Sequence, residues 1–503
     1  MRTRIPGVWA VLLVCLAGGP VMGAETGLLP GFDAYVQQVM REWQVPGLAL
    51  AIVRDGRVVL AKGYGVRRVG REDPVDEQTL FQIGSSSKAF TATVAAILVD
   101  EGRLAWDDPV VKHLPWFQMS DPWVTRHLTV RDLLCHRAGL PTYGGDGLLL
   151  FGYDAGEIAR RIRLLEPASS FRARWAYQNV MYTVAGQVAA SAAGRPWDEL
   201  VAERIFRPLG MSSSRTRVAG LATAPNVAAP HLVRDGQPTP IAWRDIYELG
   251  PAGSIVSNLA EMTRWLQFQL QDGAFEGTQV VSAKSLAETH APQMLMPNEG
   301  KILAYGLGWM IAERHGLKLV THSGNIDGMS ASVAMLPERR AGIVVLTNLH
   351  LTPAPDILTG RVLDALQGIP PDDWSTQFKK RAQAAEAKDA DRERELNGRR
   401  VRGAGPTLPL SRYTGTYENP LYGRVQLAEE GDRLTMATGP NGVRFTLVHW
   451  HYDVFRFQWA EPVPIGFWMP ELDFATFAID ESGQAQHIVT GLGTFTRSPL
   501  PRP

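Results

Sequence analysis

The chain has 503 residues, of which 45% are hydrophobic and 20% are charged, and its 51 basic and 51 acidic side chains give a formal net charge of zero. This length predicts two or three domains, and the composition is that of a soluble globular protein. A net charge of zero removes any electrostatic reason to expect nucleic acid or an anionic membrane surface as a partner.

The first 24 residues have the three parts of a secretory signal peptide. Arg2 and Arg4 precede an apolar run at 8–17, which is followed by small residues suited to cleavage. The run is short for a membrane span, so an N-terminal anchor is the weaker alternative, and no later stretch is long and apolar enough to cross a bilayer. Removal of the signal would leave Cys135 as the single cysteine. We therefore expect a bacterial protein that is exported, either periplasmic or secreted.

Hydrophobic periodicity predicts a helix over 32–43. Two apolar runs then flank Asp55 and Gly56, at 47–53 and 58–61, and this arrangement predicts a β-hairpin. The middle of the chain is mainly helical in pattern. Its predicted features are a helix that Thr129 caps, helices near 180–193, 195–206 and 259–270, and a turn-rich loop at 250–256.

Strand patterns return between 305 and 348 and end in the pair 331–336 and 342–347. Strands therefore open and close this region, and helices fill its middle. The economical arrangement is an α/β (α+β) domain, with one antiparallel sheet built from both chain ends, helices against it and an all-helical part. We expect this domain to span residues 28–368.

Two segments of different composition follow this domain. Residues 369–407 combine interleaved acids and bases with many alanines and end in a stretch rich in Gly, Arg and Pro, which is typical of a solvated helix and a linker. Residues 408–503 contain short aromatic-rich runs separated by turn residues. This pattern predicts a small all-β barrel at the C-terminal end.

A Ser-x-x-Lys motif, formed by Ser85 and Lys88, precedes a helical apolar pattern. Residues three apart share a helix face, so Lys88 would lie beside the Ser85 hydroxyl. Serine is a weak nucleophile that needs a neighbouring base, and a desolvated lysine can accept or relay a proton. The alternative is an ordinary helix cap, because Ser and Gly are common just before an apolar helix.

Two further motifs follow in order, a Tyr-x-Asn at 177–179 and a His-Ser-Gly at 322–324. Together with the Ser-x-x-Lys pair, this set resembles the serine β-lactamase and penicillin-binding-protein superfamily. The nearer likeness is its class C β-lactamase-like branch of esterases and D-amino-acid peptidases, and it covers about residues 28–368. The C-terminal segment resembles the small lipocalin-like β-domain that is appended to some of these hydrolases.

The resemblance implies roles for the motif residues. Ser85 would be the nucleophile that forms an acyl-enzyme, and Lys88 and Tyr177 would share the proton transfers, with the base at each step left open. A lysine beside Tyr177 would lower the pKa of its phenol. Asn179 would hydrogen-bond Lys88 or a substrate amide. The backbone N–H groups of Ser85 and Asn325 would hold the oxyanion.

The third motif departs from that of classical β-lactamases. They carry Lys-Thr-Gly there, and the lysine helps to hold the carboxylate of the drug, whereas this chain has His322 and Gly324. A histidine is mostly neutral at pH 7, so recognition of a carboxylate is not expected. The branch with histidine at this position is, by resemblance, populated by esterases and peptidases.

The sequence thus predicts a serine hydrolase that cleaves an ester or amide bond of a small molecule or short peptide, and fragments of cell wall that contain D-amino acids are plausible substrates by family likeness. Two alternatives remain: a β-lactamase or penicillin-binding D-Ala carboxypeptidase, and a non-catalytic ligand-binding or sensor protein on the same fold. No cofactor or metal is expected, because the chain lacks His-Glu-x-x-His, and His449 and His451 alternate as in plain β-structure. A homo-oligomer is compatible with the sequence.

Overall fold

The computed structural model describes residues 29–297, 302–458 and 472–499, so the predicted signal peptide lies outside the described residues. The α-helices are α1 (Phe32–Glu42), α2 (Ser87–Asp100), α3 (Val110–His113), α4 (Pro122–His127), α5 (Val130–Leu134), α6 (Gly147–Leu150), α7 (Ala155–Arg161), α8 (Asn179–Ala193), α9 (Trp197–Val201), α10 (Gly250–Gly253), α11 (Leu259–Leu270), α12 (Ala283–Thr289), α13 (Ala354–Gln367) and α14 (Trp374–Arg399).

The strands of the first part of the chain are β1 (Gly47–Arg54), β2 (Arg57–Gly65), β3 (Phe81–Gln82), β4 (His231–Arg234), β5 (Gln237–Pro240), β6 (Val256–Ser257), β7 (Ala274–Phe275), β8 (Thr278–Gln279), β9 (Met294–Leu295), β10 (Leu303–Tyr305), β11 (Met310–Arg314), β12 (Leu317–Ile326), β13 (Met329–Leu336) and β14 (Ala341–Thr347). Those of the second part are β15 (Gly415–Asn419), β16 (Gly423–Glu430), β17 (Arg433–Thr438), β18 (Val443–His451), β19 (Val454–Gln458), β20 (Phe474–Ile479), β21 (Ala485–Thr490) and β22 (Gly493–Arg497).

One antiparallel sheet joins the two ends of the first part, in the order β2-β1-β14-β13-β12-β11-β10-β9. Strand β1 pairs with β14, and Leu48 stands opposite Thr347. Alternate residues of β1 enter two different cores, since Ala49 packs with the helices that carry the site and Leu48 packs with α1 and α13. The predicted sheet from both chain ends, with helices against it, is confirmed.

Helix α2 runs through the middle of the molecule and packs against α8, α10 and α12. All twelve residues of 87–98 are buried, rather than one apolar face only. A helix that is buried all round needs apolar or fully paired side chains on every face. This placement takes Lys88, in its first turn, out of water.

The predicted C-terminal barrel is confirmed, as strands β15 to β22 form a closed antiparallel barrel. Helix α14, whose one buried residue is Ser375, lies between the two parts, whose limits remain predictions. Among the residues that the structure describes, no helix is long and apolar enough to cross a membrane.

The prediction of a loop at 250–256 is partly wrong, because Gly250–Gly253 forms the single helical turn α10 and Val256–Ser257 forms a short strand. Pro251 stands in the first turn of a helix, where its missing N–H costs no hydrogen bond. The turn is buried, and the carbonyl group of Ala252 accepts a hydrogen bond from Lys88. The helical turn was not predicted because a sequence rich in Gly and Pro is typical of a loop.

The barrel is docked on the segment that follows α6. Phe151 is buried and its ring contacts those of Tyr422 and Phe445, on the barrel. The Asn441 side chain donates to the carbonyl oxygen of Leu150 over 2.8 Å. The barrel therefore contacts residues 150–151, a few residues after a segment that contributes to the site described below.

The barrel packs closely against the segment that follows α6, and we call this contact the seam. Its close backbone packing predicts a stability difference between two glycine variants. Gly439 has a φ of +74°, and a Cβ atom there would lie 2.0 Å from the Phe151 carbonyl oxygen, whereas Gly431 has a φ of +67° and nothing within 4 Å. Alanine at either position costs about 1–2 kcal/mol for the left-handed backbone. At Gly439 the forced separation of the seam should add roughly 1–3 kcal/mol.

We therefore expect Gly439→Ala to lower the free energy of unfolding more than Gly431→Ala does, as measured by denaturant titration. Equal losses of stability in the two variants would contradict close packing of the barrel against Phe151.

Candidate active site

Ser85 lies in the tight turn Gly84–Ser86 that leads into α2, and this turn is pressed against strand β12. Gly84 has a φ of +51°, and a Cβ atom there would lie 2.7 Å from the backbone nitrogen of Asn325. A Cβ atom on Gly324 would lie 1.9 Å from the carbonyl oxygen of Ile83. Glycine at both positions is what lets the turn and the strand approach this closely.

The amine of Lys88 has three polar neighbours. Its Nζ atom lies 2.7 Å from Asn179 Oδ1, 2.8 Å from the Ala252 carbonyl oxygen and 3.1 Å from Ser85 Oγ. The two carbonyl-type oxygens can only accept hydrogen bonds. A neutral amine satisfies both with its two N–H bonds and keeps its lone pair for the Ser85 hydroxyl.

Burial controls the ionisation of this amine. The side chain of Lys88 is fully buried, which lowers its pKa from 10.5 to about 7, while the carboxylate of Asp146 acts in the opposite direction. A substantial fraction of the molecules then carries a neutral Lys88 at neutral pH. The amine is therefore able to accept a proton from Ser85 Oγ.

Asp146 completes the polar surroundings of Lys88 from behind. Its Oδ2 atom accepts a hydrogen bond of 2.6 Å from the Asn179 side-chain amide. This bond fixes the amide with its oxygen towards Lys88, so that Asn179 contacts the lysine. In the free protein Asn179 hydrogen-bonds Lys88, and its contact with a substrate amide stays a prediction.

Tyr177 stands just before α8 and lines the same cleft as Ser85. Its ring centroid lies 4.6 Å from Lys88 Nζ. The backbone on both sides of Tyr177 is held by His136, whose carbonyl oxygen accepts from Ala176 N–H over 2.9 Å and whose Nδ1 accepts from Gln178 N–H over 3.0 Å.

The expectation that Lys88 lowers the pKa of Tyr177 is wrong. Burial of the phenol, with Tyr305 and Tyr143 close by, raises the pKa of Tyr177 well above 10. Loss of solvation penalises the phenolate more than a lysine that is itself partly neutral can favour it. Tyr177 is therefore a neutral phenol and a proton donor.

His322 is buried and neutral. Its Nδ1 lies 2.6 Å from the Ser323 carbonyl oxygen, which can only accept, so Nδ1 carries the hydrogen and Nε2 accepts from Tyr305 Oη over 2.8 Å. Burial and the nearby Lys88 lower the pKa of His322 to about 3. Position 322 therefore supplies no positive charge, in line with the expectation drawn from the third motif.

The C-terminal half of β12 offers a free edge to this site. Strand β11 pairs only with Leu317–Thr321 of β12, so none of the described strands lies beside residues 322–326 on that side. The turn that carries Ser85 packs there instead. The edge places the backbone of Asn325 beside Gly84, one residue before Ser85.

A cleft of about 220 Å³ opens above these groups, and the structure brings all seven predicted site residues together in it or directly behind it. Most of the described wall is aromatic or apolar, and none of it carries a cationic side chain. The described lining residues are Ser85, Tyr143, Trp175, Tyr177, Asn179, Ile246, Leu249, Ala252, Gly253, Met296, Tyr305, Met310, His322, Ser323 and Asn325.

Sequence reasoning missed Asp146, Tyr143 and Tyr305. The first two lie in a segment with three glycines, at 143–147, which on its own predicts only a turn. Tyr305 lies in a predicted strand region, and no spacing connects it with His322. A polar residue beside such glycines was the one signal that pointed to Asp146.

The chain is similar to several known proteins and to one family model in particular. Residues 32–367 match the family model described as Beta-lactamase, and residues 399–495 match a domain of unknown function (DUF3471). The unguisins hydrolase of Aspergillus campestris is 29% identical over 429 residues, which are 80% of this chain and 78% of the relative. Protein flp of Staphylococcus aureus is 25% identical over 331 residues, or 65% and 64% of the two chains.

Among solved structures, the octameric penicillin-binding protein homologue from Pyrococcus abyssi is similar with a TM-score of 0.59. The likeness covers 92% of this chain and 99% of that one, at 22% sequence identity. At this identity the likeness shows the fold alone.

The position of Asp146 predicts the direction of a pH shift. Its negative charge raises the pKa of Lys88, so Asp146→Asn should bring that pKa below its present value of about 7. If neutral Lys88 is the base, kcat/KM for an ester rises with pH through this pKa, and the rise should move to lower pH in the variant.

Asp154→Asn is the matched control, because Asp154 caps α7 and is not among the charges that act on the pKa of Lys88. A shift to higher pH, or the same shift in both variants, would contradict the assignment.

Proposed function

The chain belongs to the β-lactamase family, and from this premise we propose that it is an exported serine hydrolase that cleaves an ester or amide bond through an acyl-enzyme on Ser85. The observation that carries the proposal is the distance of 3.1 Å between Ser85 Oγ and the buried amine of Lys88, whose pKa is about 7. A nucleophile and a base poised near neutral pH are what acyl transfer needs. That a named relative is a hydrolase supports the same class of reaction.

In the proposed acylation step, Lys88 Nζ takes the proton of Ser85 Oγ while Oγ attacks the carbonyl carbon of the substrate. The carbonyl oxygen becomes an oxyanion, which the backbone N–H groups of Ser85 and Asn325 would hold at the free edge of β12. The bond to the leaving group then breaks, and Tyr177, a neutral phenol beside Ser85, donates a proton to that group. Lys88 then returns its proton to Tyr177, so that both residues regain the protonation states in which they started.

Water completes the cycle by attacking the acyl group. Its proton passes to Lys88 and then to Ser85 Oγ as the acyl-oxygen bond breaks, which releases the acid and restores the site. Asn179 and Asp146 keep Lys88 in place and tune its charge. His322 and Tyr305 form a neutral polar wall.

The described lining of the cleft favours a substrate with an apolar or aromatic group and without a carboxylate next to the scissile bond. A charge that enters such a cleft loses solvation without gaining a partner. This supports an esterase or peptidase over the alternative of a β-lactamase or D-Ala carboxypeptidase. A homo-oligomer stays part of the proposal, since the similar Pyrococcus abyssi protein is described as octameric.

A fluorophosphonate probe tests the nucleophile. The expected result is one adduct, mapped to Ser85 by mass spectrometry and absent from Ser85→Ala. Ser86→Ala is the matched control, because Ser86 is buried in the same turn and should leave labelling intact. Failure of the folded protein to react would favour the alternative of a non-catalytic ligand-binding protein.

The neutral cleft predicts a preference within a matched pair of substrates. An ester whose neighbouring carboxyl group is methylated should be hydrolysed faster than its free acid, by about tenfold in kcat/KM, because the free acid pays for desolvation. Steady-state kinetics at low and high salt measures the ratio. An equal or reversed preference, or turnover of a chromogenic cephalosporin as fast as the best ester, would favour the β-lactamase alternative.

A further inference from the structure

A second concavity, of about 750 Å³, lies between the barrel and the catalytic part of the chain. On the catalytic side its wall includes Pro141, Tyr143 and Leu164, and on the barrel side it includes Leu421 and Leu492. We call this space the interdomain groove. It is built by both parts of the chain, so the catalytic part alone does not contain it.

The interdomain groove meets the active-site cleft at Tyr143, which lines both. Tyr143 has a φ of +59°, and its backbone N–H donates to the carbonyl oxygen of Tyr177 over 2.8 Å. The two tyrosine rings lie 5.5 Å apart. Tyr143 is therefore the residue that a molecule occupying both the cleft and the groove has to pass.

The barrel wall of the groove is fixed rather than loose. Arg161 of α7 donates to the carbonyl oxygens of Pro420 and Leu421 over 3.2 Å and 2.7 Å, and Tyr153 donates to that of Tyr422 over 3.1 Å. The Asn419 side chain accepts from the N–H groups of Leu421 and Tyr422. A wall held in this way costs little ordering entropy when a ligand binds.

The chemistry of the groove suits a peptide. Its walls combine apolar side chains with several glycines, Gly144, Gly147, Gly491 and Gly493, which bring no side chain into the groove beyond their backbone. Leu164 is an exposed apolar side chain in one wall, 37% accessible. Arg163 and Glu166 at the rim have opposite charges, so the groove has no preference for an ionic ligand.

We infer that the interdomain groove binds the part of an extended peptide substrate that lies outside the active-site cleft, and that the barrel thereby sets substrate length. The inference rests on the proposed hydrolase function and deepens it, since it makes peptides, rather than small esters alone, the substrate class. Leu492 is a specificity-determining residue in this account. It sits in the turn between β21 and β22, away from the reacting atoms.

The test compares a short ester, p-nitrophenyl acetate, with two extended esters that carry a neutral hexapeptide on the acyl side or on the leaving side. Wild-type protein should hydrolyse at least one extended ester with the higher kcat/KM. Leu492→Trp narrows the groove and should lower that value by about tenfold, the order expected for loss of one anchoring contact, while the short ester is unaffected. The short ester also reports that the variant is folded.

Val489→Trp is the matched control, because Val489 lies on the same hairpin, is exposed and does not line the groove. It should leave all three substrates unchanged. The inference is overturned if Leu492→Trp changes none of the substrates, or all of them equally, or if wild-type protein gains nothing from either peptide. Failure of the proposed function is distinguishable from this, since Ser85→Ala would then retain hydrolysis of the short ester.

Discussion

The withdrawal of the Lys88 amine from water is the interaction on which the site depends. Moving its pKa from 10.5 to about 7 means that the surroundings disfavour the charged form by on the order of 5 kcal/mol. A lysine shows such a lowered pKa only where packing keeps its amine from reaching solvent. Helix α2 keeps Lys88 from solvent because it is buried on every face. Three parts of the chain then converge on one nitrogen: the Ser85 turn, the start of α8 at Asn179 and the carbonyl group of Ala252 in α10.

Close approach of backbone segments is the second constraint. Gly324 and Gly84 bring β12 and the serine turn into contact, so a free strand edge ends up beside the nucleophile. The barrel also packs closely against the catalytic part, because Phe151 and Asn441 anchor it to the stretch that follows Asp146. The polar contacts of Lys88 and the docking of the barrel are thus separated by a few residues of one chain segment.

Much of the fold could be predicted because its signals are local. The apolar runs that predict β1 and β14 and the capping residue Thr129 give the same answer in the sequence and in the structure. The site motifs were recognisable because each has fixed spacing. Asp146, Tyr143 and the ionisation of Tyr177 could not be predicted in this way. Their roles depend on tertiary contacts and on burial, which no local pattern encodes, and the turn at Gly250–Gly253 was hidden by its own Gly and Pro.

The ionisation of Lys88 is the most direct test of this account. Protein labelled with ¹³C at lysine Cε can be followed by NMR from acid to alkaline pH, and Lys88→Met identifies the signal of this residue. The account predicts a signal that titrates with a midpoint near pH 7, well apart from those of the exposed lysines. A midpoint near the ordinary value of 10.5 would mean that Lys88 stays charged at neutral pH and cannot take the proton of Ser85.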